Sequence, residues 1–220
     1  MQPKFNYVDL SHLMQTHNSS NNNEKSYDEW HDLIDIKVPR FNDPSILLCP
    51  RVPTPLHHRN PRSILTQIDQ GWWDRTRQRV YAANNYYCAC CGVHKTQQKG
   101  FRKYLDAHEY YDIDYKTGEV RLKMIVPLCT MCHSYIHFGR LSAKYEAGEI
   151  SEKDFFAVLS HGNTLLKKAG LPMKDLDPNK DDNIYQIPWK LWKLILTIEG
   201  KDQEFYSLYE NEEELKAHYN

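Results

Sequence analysis

At 220 residues, with 40% hydrophobic and 26% charged residues, the chain has room for one domain with attachments or two small ones, and the composition of a soluble protein. It contains no run of about 18 uncharged apolar residues and no apolar stretch at residues 1–6, which argues against a membrane span and against secretion. The formal charge of −1 hides an asymmetry: residues 50–104 carry 10 basic and 2 acidic side chains, whereas residues 1–49 carry 4 and 7, residues 105–137 carry 3 and 5, and residues 138–220 carry 11 and 15. The basic block is where phosphates could be neutralised.

Residues 1–62 read as an irregular wrap. Asn18 to Asn23 is a polar tract, and Ser26 to Ile36 has helical spacing that Pro39 closes. Pro44, Pro50, Pro53, Pro55 and Pro61 then forbid long regular elements, while Ile46, Leu47, Leu48 and Leu56 give the segment something to bury. Cys49 has no partner at metal spacing and is expected to be buried or idle. His57 and His58 are expected to form an exposed loop pair, with phosphate contact as the alternative.

Ser63 to Asn85 has the period of a helix, with Trp72 and Trp73 expected to anchor a core. Arg75 and Arg79 fall on one helix face, and their guanidinium groups match phosphate geometry. Residues 95–103 form a basic loop, and Arg102 and Lys103 join the two arginines as candidate nucleic-acid contacts. Tyr104 to His108 then reads as a short strand, Lys116 to Glu119 as a turn and Val120 to Val126 as the returning strand. Leu128 to Leu141 holds the second cysteine pair and starts a helix, with His133 and His137 on one face, and Ser151 caps a further helix that Gly170 and Pro172 end. A charged linker over residues 175–183, a strand over Trp189 to Ile198 and a short helix over Glu212 to Tyr219 complete the chain. The expected division is residues 1–62, 63–141, 142–177 and 178–220.

Two C-x-x-C pairs flank the strands. Cys88, Cys91, Cys129 and Cys132 can supply the four thiolates of a closed, structural zinc site. Cys90 is the alternative to Cys91, but only Cys88–Cys91 gives two intervening residues followed by a glycine that lets the backbone turn under the metal. Six cysteines, four of them paired in this way, suit a reducing, cytoplasmic setting better than disulfides. Four thiolates leave no open coordination position, so any chemistry falls to His108, Glu109, His133 and His137.

The order C-x-x-C-G, a strand ending in His108, then Leu-Cys-x-x-Cys-His-x-x-x-His resembles the HNH nucleases over roughly residues 80–141. The resemblance implies a ββα-metal fold within an α+β protein and metal-dependent hydrolysis of nucleic acid, DNA before RNA. It also implies His108 as general base, and His133 with His137 as ligands of a catalytic Mg²⁺, Mn²⁺ or Ni²⁺. Ala107 and Met124 stand where the family usually has a metal-binding acid or histidine and an asparagine. Glu109, Asp112 and Asp114 are the carboxylates that could compensate, although Glu109 faces inward with His108 only if the strand ends or bulges there. The alternative function is a catalytically degenerate zinc module that binds nucleic acid or a protein partner, for instance in the contest between phage and host. A homodimer is a third possibility.

Overall fold

The structure, a computed structural model, describes residues 42–98, 104–176 and 187–219. The expected helix over Ser26 to Ile36, the polar tract, Arg102 and Lys103 lie outside the described residues. The fold class is α+β, as expected. A pair of helices, α1 (Pro61–Ile68) and α2 (Trp72–Ala83), precedes a hairpin of β1 (Leu105–Asp114) and β2 (Glu119–Cys129). The hairpin runs into α3 (Thr130–Ile136), α4 (Phe138–Glu146) and α5 (Glu152–Lys168), and the chain closes with β3 (Lys193–Ile198), β4 (Lys201–Tyr206) and α6 (Glu212–Tyr219). The strands form one sheet in the order β1-β2-β3-β4, with only the β2–β3 pairing parallel. Among the described residues no helix is long and apolar enough to cross a membrane.

The expected lead-in helix divides at Asp69 to Gly71, where the Asp69 carboxylate accepts from the Gly71 N–H at 3.2 Å. β1 runs past His108 through the acidic, aromatic residues to Asp114, because Tyr111 and Ile113 continue the inward alternation begun by Ala107. Opposite them, β2 carries one extra residue: Tyr110 pairs with Met124, but Tyr111 pairs with Leu122. This bulge at Lys123 reverses the alternation. Val126 and Leu128 therefore face one core, while Ile125, Leu122 and Val120 face the other.

The first core packs α3, α4, α5 and the 3-10 turn Pro44–Leu48 around the paired cysteines. The second packs α1 and α2 against the sheet through Leu65, Trp72, Trp192 and Leu194, all nearly inaccessible. Glu199 and Gly200 both adopt positive φ (49° and 76°), the two-residue turn that matches the twist of the β3–β4 hairpin. β4 carries only one buried apolar side chain, Phe205, and so offers no alternating pattern. Lys193 Nζ reaches Glu119 on β2 at 3.1 Å and Glu204 on β4 at 2.8 Å, tying three strands together.

The proline-rich segment clamps the end of the sheet. His58 Nε2 accepts from the Leu208 N–H at 3.1 Å, Arg59 Nε donates to the Tyr206 carbonyl at 2.9 Å, and His57 Nε2 lies 3.0 Å from the Val52 carbonyl. These contacts, rather than phosphate, occupy the two histidines.

α5 opens as expected, with Ser151 Oγ accepting from the Asp154 N–H at 3.1 Å. It crosses α3 at Gly162. A Cβ there would lie 2.2 Å from the Tyr135 ring, and Tyr135 donates its hydroxyl proton to Asn163 Oδ1 at 2.7 Å. The crossing cannot take even one methyl group without separating the helices. Gly162→Ala is accordingly expected to destabilise the fold by about 1–3 kcal/mol, net of its gain in helix propensity. Chemical denaturation should show that loss, and an unchanged midpoint would contradict the packing described.

Candidate metal centres

Cys88 and Cys91 lie in the turn after α2, and Cys129 and Cys132 at the junction of β2 and α3. Gly92 makes the first turn possible: with φ at +69° its N–H reaches the Cys88 carbonyl at 2.9 Å. The Ala89 N–H then donates to the Pro127 carbonyl at 2.8 Å, which fixes this turn to β2. The four sulfurs come within 4.8 Å of one another, and three of these cysteines are fully buried. Cys91 Sγ and Cys129 Sγ are 3.7 Å apart. Tetrahedral bonds of about 2.3 Å put sulfurs about 3.8 Å apart, so the quartet could hold a metal ion such as zinc. Cys90 is also fully buried, but it is not a member of this quartet.

The electrostatics of the thiols point the same way. Burial opposes ionisation of Cys88, yet contacts with the Cys129, Cys132 and Cys91 thiols pull its pKa well below the usual range. At Cys129 the downward effect of Cys132 is outweighed by Cys88, Cys91 and burial, and Cys132 is raised well above its usual value by Cys129 and Cys88. One anion at this point forbids the next. Only a cation allows all four to ionise together.

His108, His133 and His137 form a second group whose ligand atoms also lie within 4.8 Å of one another. His108 comes from β1, His133 from α3, and His137 from the junction of α3 and α4. A helix starts at Thr130, as expected, but it breaks at His137, whose φ of −89° and ψ of 48° leave the helical range, so His133 and His137 do not share one helix. His137 still faces its partners: its Nε2 is 3.2 Å from His108 Nδ1, and its ring centroid is 4.6 Å from that of His133. Nitrogen ligands bound at about 2.0–2.1 Å in tetrahedral geometry would lie about 3.3–3.4 Å apart. His108 Nε2 is buried with no hydrogen-bond partner. Burial, then the charges of His137, His133 and Lys174, holds the His108 pKa well below the usual range. His137 is lowered to about 3 by burial and by His133, Arg140 and Lys174, with Asp106 opposing. These two rings are thus kept neutral, as metal ligands must be.

Glu109 does not join this group. The β1–β2 register is regular from Leu105 to Tyr110, so alternation sends Glu109 to the face opposite His108, alongside Ile125. Burial raises its carboxyl pKa. Asp112 and Asp114 also lie outside the group, both exposed farther along β1. The carboxylate at the cluster is Asp106, two residues before His108 and on the same strand face, with Oδ2 3.2 Å from His133 Nδ1. A carboxylate at Nδ1 fixes the ring and leaves Nε2 as the nitrogen that could hold an ion. Sequence reasoning passed over Asp106, although the period of a strand was enough to find it.

Of the candidate phosphate contacts, Arg75 is paired with the Asp69 carboxylate, and Arg79 is exposed on α2. Arg77 pairs with Asp74 at 2.9 Å. Trp72 is buried in the core, while Trp73 lies beneath the Arg62 guanidinium, 5.5 Å from ring centroid to Cζ. Cys49 is buried, its thiol pushed up to about 11 chiefly by that burial.

His108 and His137 contribute stability that is complete above the unfolded histidine pKa of about 6.5. That contribution is lost as pH falls through the weakly acid range towards the folded value near 3 for His137. The urea midpoint of metal-free protein should therefore drop between pH 7 and pH 5, and drop less in a His108→Asn/His137→Asn double variant. Equal slopes would contradict the neutral His108 and His137. In comparisons with known proteins, no family model, no curated protein and no solved structure matches the chain.

Proposed function

We propose that the chain is an HNH-type, metal-dependent endonuclease in which a thiol-bound zinc holds a ββα-metal unit together, and that its substrate is DNA. The observation that carries this reading is the meeting of His108, from a strand, with His133 and His137, from the following helix and its end, beside the Asp106 carboxylate. This is the constellation that phosphodiester hydrolysis needs: neutral nitrogens to hold a divalent ion and a base to take a proton from water.

In the proposed site His133 and His137 hold the ion, and Asp106 fixes the His133 ring. The ion, Mg²⁺, Mn²⁺ or Ni²⁺, would neutralise charge on the phosphate and on the leaving oxygen. An all-imidazole pair favours the transition metals over Mg²⁺. His108, neutral at pH 7, takes the proton of the attacking water. The basic block that includes Arg79 lies just before the hairpin in sequence and would hold the substrate backbone.

A second reading is a binding module built on the same frame, and two replaced positions favour it. Ala107 packs between both cores and Met124 packs on the first, so neither family position contributes a ligand.

Purified protein with Mn²⁺ or Ni²⁺ is expected to nick supercoiled plasmid. His108→Ala should slow nicking about 10²–10⁴-fold, the usual worth of a general base, while leaving ion binding at His133 and His137 intact. Asp106→Asn should cost about 10–100-fold through weaker ion binding. Nicking by His108→Ala at the wild-type rate would overturn the nuclease reading, and loss of ion binding in that variant would make His108 a ligand instead of the base. No nicking with any divalent ion would leave the binding module.

A further inference from the structure

The thiol quartet has a neighbour that lies outside the hairpin and its helix. His161, in the middle of α5, places Nε2 3.3 Å from Cys132 Sγ. The next two residues fix where this imidazole sits. Gly162 lies under the fully buried Tyr135 ring, and Asn163 Oδ1 accepts the Tyr135 hydroxyl at 2.7 Å. Three consecutive residues of α5 therefore seat on α3, and the first of them meets a metal-ligating sulfur.

A metal-bound thiolate carries no hydrogen, so its sulfur can only accept. The contact then fixes the tautomer: Nε2 carries the proton and donates. Four thiolates around a divalent cation leave two excess negative charges in a site whose cysteines are almost wholly buried. Donors to the sulfurs spread that charge, and such outer partners govern how firmly an ion is held.

We propose that His161 is a positioning residue of the cysteine metal centre, its Nε2–H donating to the Cys132 thiolate and so strengthening retention of the ion. The inference rests on the quartet holding an ion and is independent of nuclease activity.

The test is a competition between the full-length protein and a chromogenic chelator for zinc, paired with the absorption spectrum of the cobalt-substituted protein. His161→Ala is expected to weaken zinc binding about 10–100-fold while keeping the intense charge-transfer band of four thiolates. His161→Gln, which retains an N–H donor, should recover most of the loss. Tyr135→Phe breaks the hydrogen bond to Asn163 in the same helix crossing without touching the sulfur, so it should lower thermal stability and leave zinc affinity unchanged. Unchanged affinity in His161→Ala, or equal losses in His161→Ala and Tyr135→Phe, would overturn the proposal. So would a cobalt spectrum in which His161→Ala alters the ligand set, since His161 would then be a ligand. Absence of the four-thiolate band in the wild-type protein would remove the cysteine centre and this inference with it.

Discussion

Four thiols cannot ionise within 4.8 Å of one another unless a cation stands between them. They are supplied by the turn after α2 and by the β2–α3 junction, about 40 residues apart in the chain. A single ion at that point would pin the entry to the hairpin against its exit. It would also fix the first turn of α3, because Cys129 precedes that helix and Cys132 lies within it. His133 is the next residue. The orientation of the histidine cluster is in this sense a consequence of the cysteine frame, and the first core packs around that frame rather than beside it.

Two irregularities shape the surroundings of the cluster. The bulge at Lys123 lets β2 serve both cores, with Val126 and Leu128 on the side of α3 and Ile125, Leu122 and Val120 on the side of α1 and α2. His108 and Asp106 lie on the α3 side of β1, and Glu109 and Tyr111 on the other. The break at His137 is the second. It ends α3 after seven residues and still keeps the His137 ring against those of His108 and His133. Three imidazoles gathered around the buried His108, with a carboxylate behind one of them, are costly for a fold unless an ion or a proton path uses them.

Much of this was legible in the sequence, and for identifiable reasons. The cysteine quartet follows from spacing, because C-x-x-C followed by glycine encodes a turn that few other features need, and Gly92 adopts the positive φ this requires. The hairpin, the Ser151 cap and the closing helix follow from local chemistry. What was not legible depends on long-range geometry. The carboxylates that stand out in the sequence lie at and after His108, whereas the strand period puts Asp106 on the right face and Glu109 on the wrong one. Nothing local marks the break at His137, which is held by packing on both sides. β4 has one buried apolar residue in six and is a strand because β3 offers it an edge. His161 sits in an ordinary amphipathic helix, and only the crossing with α3 gives it a partner.

In the proposed arrangement the same hairpin and helix build two ion sites, one of sulfur and one of nitrogen. Anomalous-scattering crystallography of protein loaded with Zn²⁺ and Mn²⁺ would test it. A zinc peak equidistant from the sulfurs of Cys88, Cys91, Cys129 and Cys132 is expected, and a second peak bonded to ring nitrogens of His133 and His137, with Asp106 at the far side of the His133 ring. A single peak at the sulfurs, with His108 and His137 hydrogen-bonded to each other at saturating Mn²⁺, would contradict it.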